Sequence, residues 1–269
     1  MIDFDKNKAL GKRKILIFEN TYTLTEYLLE KWIEIARESV QRNNRFTVAL
    51  SGGRSPMEFY CRLSNLKEFD LWQRTHIFLG DERFVPLDDD SSNFKMLKKS
   101  LLDYISIPPE NVRPIKTNQK NVEISAEEYK NELAHFFEFK EAKTPCFDFM
   151  LLGIGTDGHT ASLFPNDPRV YDTDRLVLPV SLPQLKEERV SLTLPVINNS
   201  RNIFTLVCGA NKADIFQEIL ANSHLPITSV SPSSGQLIYL LDKEAAQKLS
   251  YHDSYLHEGN AICYEPIIS

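Results

Sequence analysis

The chain has 269 residues, 42% of them apolar, which is enough for one large α/β domain or two small ones and too much for a disordered chain. Its formal net charge of −6 argues against a nucleic-acid-binding surface, because phosphate backbones select basic faces. Met1 to Leu10 is charged and lacks an apolar centre, so no signal peptide is expected, and no apolar run reaches membrane-spanning length.

Lys14 to Phe18 has the character of a short strand. Thr23 and Glu26 have the spacing of a capping box, and Leu28, Trp32, Ile35 and Ala36 recur at helical spacing after it. Arg45 to Leu50 predicts a second strand that ends in Ser51-Gly52-Gly53-Arg54-Ser55-Pro56. Pro56 is placed as the first residue of a helix carrying Phe59, Tyr60 and Leu63. A strand from Thr75 to Leu79 runs into Gly80-Asp81-Glu82-Arg83-Phe84-Val85-Pro86. The acidic run Asp88 to Asp90 reads as a solvated loop in preference to a metal site. Ser92 caps a helix through Asp103, and the proline-rich stretch from Ile107 to Thr117 is a connector.

Ser125 and Glu128 form a second capping box, opening a helix through about Phe139. Phe147 to Leu152 is a buried strand by its unbroken apolar run. Prolines at 168, 179 and 183 mark a winding surface segment. Val190 to Leu194, Ile203 to Cys208 and Leu237 to Leu241 are further strands, with helices over Ala213 to Leu220 and Lys243 to Leu249. The alternation predicts an α/β fold, a mostly parallel sheet with helices on both faces, as a single domain over residues 1–269.

Chemistry in such sheets collects beyond the carboxyl ends of the strands. There the strand from Phe147 runs into Gly153, Gly155 and Gly158, with Asp157 and His159 among them. An imidazole is the side chain best tuned to move protons near neutral pH, which makes His159 a candidate base. A zinc site would need further His or Cys ligands close by, and the sequence offers none. The three glycines formally match a dinucleotide fingerprint, but no helix opens at the third, and no acid-ended strand follows about 20 positions on, so NAD is not expected.

Ser51 to Arg54 joins a strand to a helix N-terminus, where free backbone N–H groups favour an anion; it is not a Walker A loop. Gly209 and Lys212 repeat that design, with a lysine able to reach a phosphate. Arg83 and Arg189 each stand beside a strand. No G-x-S-x-G elbow is present, which argues against a serine-nucleophile hydrolase of that kind. Cys61, Cys146, Cys208 and Cys263 are scattered without a C-x-x-C pair, as expected of reduced thiols in a cytoplasmic protein.

These blocks, in this order, resemble the 6-phosphogluconolactonase family. The match is carried by Ser51 to Pro56, by Gly80 to Pro86 with Ser92, Asn93 and Met96 downstream, and by the long block Gly153 to Pro165. Arg189, the Gly209 to Ala213 turn, and Gly235 with Asp242, Ala245 and Ala246 complete it. The resemblance implies a Rossmann-like sheet, shared with glucosamine-6-phosphate deaminases and similar to ribose-5-phosphate isomerases. It also implies hydrolysis of the sugar-phosphate lactone 6-phospho-D-glucono-1,5-lactone with neither metal nor cofactor. By the same resemblance His159 is the base, Asp157 orients it, and Arg83 stabilises the lactone or its oxyanion. Gly52, Gly53, Arg54, Arg189 and Lys212 then hold the phosphate and the sugar hydroxyls. Phe164 stands where the deaminases have Glu, and Arg83 where they have Tyr, which favours the lactonase over a deaminase or isomerase. A non-catalytic sugar-phosphate sensor is the third reading, and it is expected to need an attached DNA-binding segment for which no spare length is seen.

Overall fold

The computed structural model describes residues 13–138, 144–221, 224–249, 257–258 and 261–264. Met1 to Leu10, where no signal peptide is expected, lies outside the described residues. Strands β1 (Arg13–Phe18), β2 (Phe46–Leu50), β3 (Thr75–Leu79), β5 (Val112–Arg113), β6 (Phe149–Gly153), β9 (Asn202–Val207) and β10 (Gln236–Asp242) pair in parallel, in the order β1-β10-β9-β6-β2-β3-β5. Two antiparallel strands, β12 (Ala261–Tyr264) and β11 (His257–Glu258), extend the sheet beyond β1. All five residues of β2 are buried, as expected of a parallel strand covered on both sides.

The register shows which helices cover which face. Phe46 and Val48 share one face of β2 with Ile77 and Phe149 on the neighbouring strands, while Ala49 and Phe78 lie side by side on the other. Trp32, on helix α1 (Thr21–Asn43), packs 4.9 Å from Phe46 and 5.1 Å from Phe149, ring centre to ring centre. Helix α2 (Met57–Leu63) adds Phe59 to the same cluster. On the opposite face Phe78 meets Phe136, at the end of helix α4 (Val122–Phe136). The sheet is therefore sandwiched, as the alternation of elements predicts.

Two helix starts differ from expectation. The box at the start of α1 closes between Asn20 and Thr23, not between Thr23 and Glu26: the extended Asn20 accepts from the Thr23 amide at 3.0 Å. Likewise Asn121 caps α4 through the Ile124 amide, and Ser125 sits inside the helix with its hydroxyl on the Lys116 carbonyl. In both cases an upstream Asn already satisfies the first free amides. Helix α3 (Asn93–Ser100) starts at the predicted Ser92, which accepts from the Lys95 amide.

A second correction concerns the proline-marked segment after Pro165. Val177–Val180 forms strand β7, whose Val177, Leu178 and Val180 are buried. It pairs with β8 (Arg189–Leu192), and β8 pairs with β4 (Asp81–Arg83), giving a separate antiparallel sheet in the order β4-β8-β7. Pro179 is tolerated because β7 is an edge strand. This small sheet brings Arg83 opposite Arg189. Helices α5 (Leu194–Asn198), α6 (Ala213–Ala221) and α7 (Lys243–Ala246) complete the α-helices among the described residues.

Candidate active site

The carboxyl ends of β2, β6, β9 and β10 open on one cleft of about 930 Å³, whose wall also includes Asp81 and Arg83 of β4 and Arg189 of β8. After β6 the chain turns back sharply, and the Gly155 amide donates to the His159 carbonyl at 2.8 Å. The turn presents Asp157 and His159 side by side. Asp157 Oδ1 lies 2.6 Å from His159 Nδ1 and also accepts from the His159 amide at 3.2 Å. Partial burial raises the Asp157 carboxyl, but the bonds and charge of His159 outweigh it and hold the group below its ordinary value. The carboxylate is thus ionised near neutral pH and can only accept, so Nδ1 carries the hydrogen. Nε2 is left as the proton acceptor.

Gly155 makes this pair possible. A methyl group there would run into both the His159 ring and the Asp157 carboxylate. The glycine therefore leaves room for the Asp157–His159 pair. Behind the imidazole stands Phe164, its ring centre 4.7 Å away.

The opposite wall is cationic. Arg83 and Arg189 are register partners across β4 and β8, and each has a buried Nε without a hydrogen-bond partner. Burial and the neighbouring Arg83 charge depress the Arg189 guanidinium, while Asp81, Glu187 and Glu82 support its charge. Glu82 is fully buried and does not line the cleft. It accepts from the amides of Arg83, Asn93 and Phe94 at 2.7–2.8 Å and from the Ser92 hydroxyl at 3.1 Å, so it ties β4 to the N-terminus of α3. Asp81, also buried, lines the cleft and accepts from the Ser162 hydroxyl at 2.6 Å.

The glycine turn after β2 forms a third side. Gly52, Gly53 and the exposed Arg54 line the cleft with Lys212. Lys212 Nζ donates to the Ile154 carbonyl at 2.6 Å, anchoring the turn after β9 to the loop that carries His159. Burial lowers the Lys212 ammonium below its ordinary range, against support from Asp157. Asp242 fixes the same turn from beneath by accepting from the Gly209 amide at 2.9 Å while capping α7 through Ala245.

All eight residues singled out by sequence, Gly52, Gly53, Arg54, Arg83, Asp157, His159, Arg189 and Lys212, gather here; seven line the cleft directly, and the eighth, Asp157, holds the His159 imidazole. The site thus combines a proton acceptor, paired guanidiniums and a glycine turn at a helix N-terminus, which suits attack of water on an activated, anionic ester. Within the acidic run Asp88 to Asp90, none of whose residues lines the cleft, Asp89 accepts from Ser91 and Asp90 pairs with Lys95.

The sequence pattern of the glucosamine-6-phosphate isomerases/6-phosphogluconolactonase family matches residues 19–239. The chain belongs to this family. A 6-phosphogluconolactonase from Synechocystis is 38% identical over 216 residues, covering 79% of this chain and 88% of that protein. The crystal structure of 6-phosphogluconolactonase from Thermotoga maritima superposes with a TM-score of 0.74 at 32% identity, over 86% of this chain and 100% of that one. The 6-phosphogluconolactonase of Trypanosoma brucei gives 0.77 at 30% identity, over 89% and 99%.

Beside Asp81 and Glu82, a further residue to which the sequence assigns no role is Asn93. It appears in the resemblance as part of a block but carries no feature of its own that marks it. Folded, it is 2% exposed, lines the cleft, and touches Asp81, Arg83 and the space above Gly52.

Proposed function

We propose that the chain hydrolyses 6-phospho-D-glucono-1,5-lactone to 6-phospho-D-gluconate, with His159 as the base. The observation that carries this reading is that the His159–Asp157 pair shares its cleft with Arg83, Arg189, Arg54 and Lys212. His159 Nε2 takes a proton from water as the oxygen bonds to the lactone carbonyl carbon. Arg83 faces the negative charge that grows on the carbonyl oxygen, and the ring C–O bond then breaks as Nε2 returns its proton to the departing oxygen. Asp157 keeps the hydrogen on Nδ1 throughout and supports the transient imidazolium. The Gly52–Gly53 turn, Arg54, Arg189 and Lys212 hold the phosphate and sugar hydroxyls.

Phe164 supports a lactonase over an amino-sugar deaminase. The position packs an apolar ring against His159 where the deaminases have a carboxylate. The decisive assay follows lactone disappearance by NMR with and without protein, since the lactone also opens unaided. His159→Ala should cut kcat by roughly 10²–10⁴-fold with the fold intact. Activity within a few-fold of the parent would remove His159 from the role, and ammonia release from glucosamine 6-phosphate would revive the rival.

A further inference from the structure

Arg83 can stabilise a developing oxyanion only if its guanidinium is already aimed when the charge appears, because a donor that must reorient gives back what it gains. Among the described residues, all the hydrogen bonds of its side chain leave from one nitrogen. Nη1 donates to the Ser91 carbonyl at 2.8 Å and to Asn93 Oδ1. Nε is buried and unpartnered. The guanidinium is therefore gripped at one corner, with another donor held out of water and unspent.

The grip is itself held. Asn93 Nδ2 donates to the Asp81 carbonyl at 2.9 Å, which fixes the amide so that its oxygen faces Arg83. The Asn93 backbone amide is bound by the buried Glu82 at 2.7 Å. Its side chain also fills the space over Gly52, where any Cβ would collide with the Asn93 carboxamide. An amide with its nitrogen and oxygen both committed, wedged over a glycine of the anion turn, has one orientation available.

We propose that Asn93 is a positioning residue for the hydrolysis, acting through Arg83: it locks the guanidinium in the pose that meets the oxyanion and sets its distance from the Gly52 turn. This rests on the role given to Arg83 in the proposed reaction. Ala at position 93 would leave the backbone tie to Glu82 in place and Nη1 held by the Ser91 carbonyl alone. A bond to a charged group of this kind corresponds to roughly a 10- to 100-fold change in rate. The loss should fall on kcat with KM changing less, as expected for a contact made in the transition state.

The test is a double-mutant cycle on full-length protein with Asn93→Ala, Arg83→Ala and the pair, each assayed for kcat and KM on 6-phosphogluconolactone and checked by thermal melting. The expected result is a loss of at least 10-fold for Asn93→Ala in the parent and less than about 2-fold in the Arg83→Ala background. Equal losses in both backgrounds would overturn the positioning role, as would an Asn93→Ala protein as active as the parent. Parent-like activity in Arg83→Ala would overturn the role of Arg83 and the inference with it, while leaving His159 as the base. If Asn93→Ala melts too early to assay, Asn93→Ser takes its place in the same cycle, being polar at the helix start but too short to reach Arg83.

Discussion

At the scale of single residues, the site depends on side chains that are missing as much as on those present. Gly155 and Gly52 are the two cases: one lets Asp157 and His159 meet, the other lets Asn93 lie across the anion turn. A sequence shows such glycines but not which neighbour needs the room. The context of Gly153-x-Gly155-x-x-Gly158 already argues against a dinucleotide, but what Gly155 makes room for is seen only once the chain returns onto it. Gly155→Ala should push the imidazole off its carboxylate while leaving the strand before it unchanged. A shift of about 1 Å in a reacting group costs on the order of 10²-fold. We expect kcat to fall by that order with circular dichroism and melting temperature near those of the parent. A Gly155→Ala enzyme with parent-like turnover would show that the close pair is not needed.

At the scale of elements, strand β4 does two jobs that its sequence does not separate. Asp81, Glu82 and Arg83 look alike as a charged triplet, yet Arg83 and Asp81 face the cleft while Glu82 is the buried peg for helix α3. Its partners Ser92, Asn93 and Phe94 lie 10, 11 and 12 positions downstream, beyond any local pattern. The apolar strands were legible because burial on both faces leaves apolar runs, and the Ser92 cap because its signal is local, whereas the two-residue β5 lies in the stretch read as a connector. The pairing of β4 with β8, and the edge position that admits Pro179, are long-range and left no mark that sequence reading could use. Burial pushes the Glu82 carboxyl up, opposed by the three amides it accepts from. Glu82→Ala would leave those amides and the Ser92 hydroxyl without an acceptor. It should destabilise the protein by about 3–5 kcal/mol, read from denaturant unfolding. A loss below about 1 kcal/mol would mean that water replaces the carboxylate and that α3 is held by packing alone.

At the scale of the whole molecule, the parallel sheet separates chemistry from a charged cluster near its other end. His76 lies early in β3, away from the carboxyl-end cleft, with Arg113 Nη1 3.4 Å from its Nδ1. Arg113 and Arg45 both lie over the Phe136 ring, and Glu132 pairs with Arg113. Burial first, then the Arg113 and Arg45 charges, lower the His76 imidazole from 6.5 to about 4. The unfolded chain accepts that proton near pH 6.5, and the folded one resists it until about pH 4. Between those values the unfolded state binds more protons, so folding is favoured more as pH rises. The contribution is complete above pH 6.5 and is lost as pH falls toward 4. Solvent screening of the partly exposed ring holds it to about 1 kcal/mol. His76→Gln removes the titration, so its melting temperature should fall less between pH 7 and pH 4.5 than that of the parent, by about 2–4 °C for a chain of this size. Lactone turnover at neutral pH should be unchanged, because the ring touches nothing in the cleft. Parallel pH–melting curves for the two proteins would show that neither burial nor the guanidiniums hold the His76 imidazole down, and altered turnover would show that the sheet couples its two ends.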